Sequence, residues 1–262
     1  MKIAAIWRYR GFIIGSVTRE FKVRYQSSVL GTTWAVINPL ALVFIYTVVF
    51  SRLMRARLPD VENTLGYGIY LCAGILCWSA FTEIANRCQN VFLENANLIR
   101  KMSFPRICLP LIVVISSAIS YTIMLAIILA FLVLTKGNIG TPLVAVVPLF
   151  LLQILLATGL GVILGILNVF FRDVGQLFGI VFQFWFWFTP IVYPLSILPE
   201  RIQHVIQLNP LTPLVVAYQG IFVSNRWPQW STLLPAMFTA TAFIVGALFL
   251  YRKCAVDMVD EL

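Results

Sequence analysis

The sequence predicts an all-α membrane protein with six transmembrane helices, an N-terminal amphipathic interface helix, and short re-entrant helices between the fifth and sixth spans. Two observations carry this. Apolar stretches near twenty residues long fill most of the chain, and about 20 such residues carry a helix across ~30 Å of hydrocarbon. Hydrophobic residues make up 60% of the chain and charged residues 11%, too little polar surface to cover a soluble fold. The ten-residue alternation of a membrane barrel is missing. Helices remain, because inside lipid each one satisfies its own backbone.

Residues 1–30 are read as the interface helix and residues 31–262 as one transmembrane domain. The run at 11–17 is too short for a signal peptide and soon meets Arg19, Glu20 and Lys22. As a helix it places Ile6, Ile14, Val17 and Phe21 on one face and Arg8, Arg19 and Lys22 on the other, a pattern suited to a membrane surface. Arg10 and Arg24 blur it. Spans are expected over 34–51, 67–85, 109–134, 142–170, 177–195 and 233–251. Ala157, Gly161 and Gly165 recur every fourth position in the fourth span, as do Ala242 and Gly246 in the sixth. Such spacing lets backbones approach closely.

Basic residues give the orientation. With both termini inside, thirteen of the 19 Lys and Arg face the cytoplasm. Arg52, Arg55, Arg57, Lys136, Arg201 and Arg226 fall outside. Anionic headgroups account for the net charge of +9, which therefore calls for no nucleic acid.

What the chain lacks narrows its chemistry. No Gly-Lys dipeptide occurs, hence no GxxxxGK[ST] phosphate loop. Cys72, Cys77, Cys88, Cys108 and Cys254 show no metal spacing and read as small apolar residues. The one histidine, His204, reads as a solvated loop residue. No catalytic or metal site is expected, and no cofactor in this chain. A secondary transporter usually carries acids at mid-membrane. Here Glu83 is the candidate, and it precedes Arg87 by four residues, the spacing of an ion pair.

The energy source is then sought in a partner. The inner loop 86–106 reads NRCQNVFLENANLIRKMSFPR. Phe92, Leu93, Ala96 and Ile99 suit a helical continuation, and Arg100, Lys101 and Arg106 bracket Phe104 and Pro105. A short helix with apolar and basic residues fits a groove on another protein, and equally a basic loop reading anionic lipid. Arg172 and Asp173 close the fourth span on the same side. The fifth span is densely aromatic, and two readings stand level. Its rings form an interfacial belt, or they stack on the CH faces of sugars as cargo slides by. Candidate channel aromatics are Trp34, Phe182, Trp185, Phe186, Trp187 and Tyr193. Beyond them Pro194, Pro199, Asn209, Pro210 and Pro213 punctuate two short segments, 200–208 and 214–223, too short to cross.

Five stretches in order resemble one family: TREFKVRYQSSVLGTTWAVINPL (18–40), ENANLIRKMSFPRICLPL (94–111), NVFFRDVGQL (168–177), FTPIVYPLSILPE (188–200) and LNPLTPLV (208–215). The chain resembles the permease subunit of polysaccharide-exporting ABC transporters, the type-2 exporter family. That resemblance implies a homodimer bound to two copies of a separate ATP-binding subunit, with Mg-ATP there and none here. It implies an inner-membrane location and a lipid-linked polysaccharide cargo, O-antigen or capsular. Teichoic acid export and a membrane-embedded enzyme acting on lipid-linked sugars are the other readings. It also implies that Leu98, Ile99, Arg100, Lys101, Ser103, Phe104 and Pro105 couple to the ATPase. The proline-punctuated segments would form an outer gate. The interface helix, with Arg8, Arg19, Phe21 and Lys22, reads equally as a simple lipid anchor or as a collar that also touches a cytoplasmic partner.

Overall fold

A computed structural model describes residues 9–26, 33–46, 48, 66–101, 105–136, 140–254 and 257–261. All regular structure among them is helical. The helices are α1 (Arg10–Gln26), α2 (Trp34–Tyr46), α3 (Gly66–Glu94), α4 (Ala96–Lys101), α5 (Cys108–Lys136), α6 (Val146–Phe170), α7 (Asp173–Trp187), α8 (Glu200–Gln207), α9 (Thr212–Ser224), α10 (Leu234–Cys254) and α11 (Asp257–Glu261). A 3₁₀ turn, Thr141–Ala145, leads into α6, and another, Trp230–Leu233, into α10.

Among the described residues four helical stretches are long and apolar enough to cross a membrane: Gly66–Glu94, Cys108–Leu134, Thr141–Phe170 and Trp230–Cys254. They contain the expected second, third, fourth and sixth spans. For the first expected span, α2 covers 34–46, and most of the remainder to 51 lies outside the described residues. The fifth is displaced and shortened. α7 starts at Asp173 and stops at Trp187, which at 1.5 Å per residue is about 22 Å. The 177–195 reading followed hydropathy alone, and Pro190 and Pro194 end the helix early.

α3 is the central helix. Most of the window that qualifies it as a span is buried, 78%, against 22% for the span ending at Cys254. Small residues bring α6 onto it. A Cβ on Gly161 would sit 2.6 Å from Cys88 Cβ and 2.7 Å from the Ala85 carbonyl. Gly165 stands as close to the Cys88 carbonyl. The spacing in α6 is therefore a contact surface. In α10 the same spacing is not one. Ala242 is exposed, and a Cβ on Gly246 would meet only Ile163, at 3.5 Å. The close approach there is Gly159 of α6 against Phe243 and Ile244.

α1 also differs from its expected face. Ile13 and Val17 are buried against Cys108 and Ile112 of α5, with Phe21 partly buried beside them. Ile14 is 65% exposed. Apolar side chains are spread around α1, so packing against α5 selects the buried face and a bare periodicity count misplaces it.

Candidate functional site

At the end of the bundle where α3 meets α4, three helices share one ionic cluster. Arg87 of α3 pairs with Glu83 at 3.4 Å, one turn away, as its spacing predicted. It also pairs with Glu20 of α1. Ser116 of α5 donates to Glu20 at 2.7 Å, and Ser117 to Glu83 at 3.3 Å. Arg87 donates to Ser117 at 3.2 Å. The sequence suggested only the Glu83 half of this cluster. The cluster ties α1 to the two helices that flank α4.

We expect Arg87→Met to cost about 1–3 kcal/mol, below the figure for fully buried pairs because all three charged groups keep some solvent. Thermal unfolding in detergent measures it. The double variant Arg87→Met, Glu20→Gln should lose less than Arg87→Met alone, since it strands one carboxylate fewer.

Beside this cluster lies a cavity of about 420 Å³, walled by Arg19 and Glu20 of α1, Arg87 and Val91 of α3, Leu98 of α4 and Ile112 of α5. Two groups singled out separately in the sequence, Arg19 and Leu98, thus line one cavity. Lys22 is exposed and Arg8 lies outside the described residues.

α4 turns its apolar side inward. Ile99 is 6% exposed and belongs to the main core, and Leu98 packs against that core. Phe92 at the end of α3 is likewise buried. The exposed residues here are Glu94, Asn97 and Arg100. The expected apolar docking face is thus polar over this stretch, and Glu94 and Asn97 are absent from the sequence-derived set. The turn between α3 and α4 is held by Asn95. Its carbonyl accepts from the Leu98 and Ile99 N–H groups at 3.0 Å, and its Nδ2 donates to the Val91 carbonyl at 2.8 Å. Ser103, Phe104 and the Lys101 side chain lie outside the described residues. Pro105 is half-buried, and its carbonyl starts α5 by accepting from Cys108 N at 2.9 Å.

Arg172 and Asp173, both exposed, stand at the elbow between α6 and α7 at this same end. Asn168 and Gln89 grip that elbow. Asn168 Oδ1 accepts from Gly175 N at 3.0 Å, and Gln89 Nε2 donates to the Gly175 carbonyl at 3.2 Å.

At the opposite end, the chain leaves α7 without a helix to satisfy it. Residues 188–194 turn back, and partners collect their carbonyls. Gln219 Nε2 of α9 donates to Pro190 O at 3.0 Å. Tyr70 donates to Tyr193 O at 3.0 Å and Pro190 O at 3.2 Å, and Tyr67 donates to Val192 O. Non-helical backbone at membrane depth survives only where protein groups supply its bonds. Tyr67, Tyr70 and Gln219 were missed in the sequence. Their one signal was a polar atom inside an apolar run.

Asn209 locks the same turn. Its Oδ1 accepts from Trp185 Nε1 at 2.9 Å and Leu211 N at 3.0 Å. Its Nδ2 donates to Thr189 Oγ1 at 2.9 Å and the Phe188 carbonyl at 3.3 Å. Pro199 caps the start of α8 and Pro213 sits in the first turn of α9. Pro194 precedes a 3₁₀ turn, Leu195–Ile197, and Pro210 lies in the turn before α9.

The aromatic set divides. Phe182 is buried against Phe81, and Trp185 packs edge-on to Phe81 at 5.5 Å. Phe186 meets Trp78 at 5.6 Å. These three form the seam between α7 and α3. Phe184, Trp187 and Phe188 are each more than 60% exposed, and Trp34 is 38% exposed. Tyr193 donates to the Trp187 carbonyl at 2.7 Å. Phe184 and Phe188 were not among the candidate channel residues, because a cluster covering every face gives no direction.

No cluster of three or more His, Cys, Asp or Glu able to hold a metal occurs among the described residues.

The family model described as ABC-2 type transporter matches residues 13–223. An O-antigen export system permease protein, RfbA, of Klebsiella pneumoniae is 29% identical over 236 residues, 90% of this chain and 88% of the relative. The protein of the same name from Myxococcus xanthus is 29% identical over 254 residues, 96% and 95% of the two chains. The polysialic acid transport protein KpsM of Escherichia coli is 24% identical over 254 residues, 92% and 95%.

Proposed function

Because this chain belongs to the ABC-2 type transporter membrane family, we propose that it is the permease of an ATP-driven exporter that carries lipid-linked O-antigen polysaccharide out of the cytoplasm. The observation that carries this reading is likeness to O-antigen export permeases along nearly the whole chain. Capsular polysaccharide is the second cargo, favoured by the 24% identity to a polysialic acid transport protein.

In this reading the Arg87 end of the bundle is cytoplasmic and the Asn209 end is outer, in the inner membrane, with both termini inside. α2 and α7 join the four long helices as spans, α1 lies along the inner surface, and α8 and α9 dip back into the outer leaflet. Two copies of the chain enclose the path, and two separate subunits bind and hydrolyse Mg-ATP.

The mechanism rests on where the exposed groups lie. ATP binding closes the two ATPases and moves whatever is docked on them. The end of α3 presents Glu94, and α4 presents Asn97 and Arg100, to such a partner, while α4 buries Ile99 in the permease core. Motion of α4 therefore passes directly into the core. It also reaches α3 and α5, which the Arg87 cluster ties to α1. A two-state helix arrangement biased by nucleotide can open and close a path in this way. The exposed rings Phe184, Trp187 and Phe188 supply weak, repeated contacts to sugar faces, which bind without trapping.

Copurification is the primary test. A tagged chain should bring down an ATP-binding subunit, and ATPase activity should rise with lipid-linked glycan. A chain that drives its cargo by an ion gradient without ATP would overturn the reading. The variant Trp187→Ala, Phe184→Ala should lower export several-fold, roughly the loss of one to two aromatic contacts at about 1 kcal/mol each. It should leave thermal stability nearly unchanged, because both rings are exposed. Trp185→Ala should instead destabilise the fold.

A further inference from the structure

The Asn209 end holds a second cavity, of about 780 Å³, between α8, α9 and the start of α10. His204, Gln207, Arg226, Trp227 and Gln229 line it, and no carboxylate does. Neither the Arg226 guanidinium nor the His204 imidazole makes an ion pair or side-chain hydrogen bond with any other described residue. Two nitrogen donors thus share one cavity.

The backbone holds Arg226 there. α9 ends in a left-handed cap at Asn225, φ 50° and ψ 41°, a conformation Asn tolerates better than most residues. The Arg226 N–H then donates to the Gly220 carbonyl at 3.2 Å. Gly140, before α6, packs so tightly on the Asn225 side chain that no Cβ would fit between them. Buried Pro228 holds the other side.

Around the cavity the surface is apolar. Leu208 is 81% exposed, Val205 65%, Leu234 61% and Trp230 50%. Bared aliphatic groups beside two Trp rings and a guanidinium describe a membrane interface at headgroup depth. A soluble glycan would leave that rim in water.

We propose that this cavity binds the phosphate of a lipid headgroup, with Arg226 and His204 donating to its oxygens, Trp227 beside the headgroup, and the apolar rim against the chains. Guanidinium–phosphate pairing supplies the specificity. Two lipids carry this chemistry: a bulk phospholipid, and a polyprenyl carrier whose diphosphate holds a glycan. The proposal rests on the chain spanning a membrane, and it stands or falls separately from the cargo assignment.

The test uses the purified full-length chain in neutral detergent, titrated with phosphatidylglycerol or diacylglycerol and read by native mass spectrometry. Wild type should retain one phosphatidylglycerol per chain and discriminate against diacylglycerol. Arg226→Gln should weaken binding about tenfold, the effect of losing a hydrogen bond to a charged group. Arg226→Lys should restore part of it, which separates lost charge from lost fold. A polyprenyl diphosphate that displaces phosphatidylglycerol at equimolar concentration would identify the carrier as occupant. Failure to displace would identify the phospholipid. Equal binding of diacylglycerol and phosphatidylglycerol, or of wild type and Arg226→Gln, would overturn the proposal.

Discussion

Arg100→Glu should abolish ATP-driven export while leaving the permease folded and inserted. Arg100 is exposed on α4, as is Asn97, and Glu94 is exposed at the end of α3. On the docking surface proposed above, a charge reversal that brings like charges together costs several kcal/mol. Each 1.4 kcal/mol is a factor of ten in association, so a loss beyond about tenfold is expected. The measurement is export in cells, with copurified ATPase and the melting temperature of the isolated permease as controls. A melting temperature equal to wild type with export and partner binding lost is the expected result. Full export would remove α4 as the coupling element. Leu98→Asp is a poorer probe, because Leu98 packs on the core and faces the cavity beside Arg87. Its failure would mix lost docking with lost packing.

Asn209→Leu should be the most destabilising single change at the opposite end. The leucine has nearly the same volume, so packing is largely kept. What goes is the set of bonds to Trp185, Leu211, Thr189 and Phe188. The indole N–H of Trp185 and the amide of Leu211 would be left without their acceptor in a region screened from water. Each such loss costs about 1–3 kcal/mol, so a total of about 2–6 kcal/mol is expected. Asn209→Asp separates the two halves. It keeps both acceptor bonds and loses the donors to Thr189 and Phe188. It should fall between wild type and leucine in thermal unfolding and in export. Equal stability of all three proteins would show that the turn holds without this side chain.

The candidate site was only half legible beforehand. Glu83 and Arg87 were paired correctly, since four residues on a helix always bring two side chains together. Glu20 was not found, because it lies 67 positions from Arg87 and nothing local links them. The charges single out the loop 86–106, and of its expected docking residues Arg100 is exposed while Ile99 is buried. Apolar side chains there were read as a surface for a partner, and Ile99 is instead covered by the chain itself. Aromatic residues in α7 were recognised as a group. Which rings join the α3 seam and which face outward depends on the neighbour.

Solvent preference, written along the chain, was enough to set the all-helical class, the four long apolar helices and the small-residue face of α6. Those are averages over many residues, and each residue adds its own transfer preference. Tertiary packing alone set which face of α1 is buried and how the carbonyls of 188–194 are satisfied. Those outcomes turn on single directed bonds between residues far apart in the chain. Tyr70 and Tyr193 are 123 positions apart. No local pattern encodes such a bond, and within lipid no water stands ready to replace it.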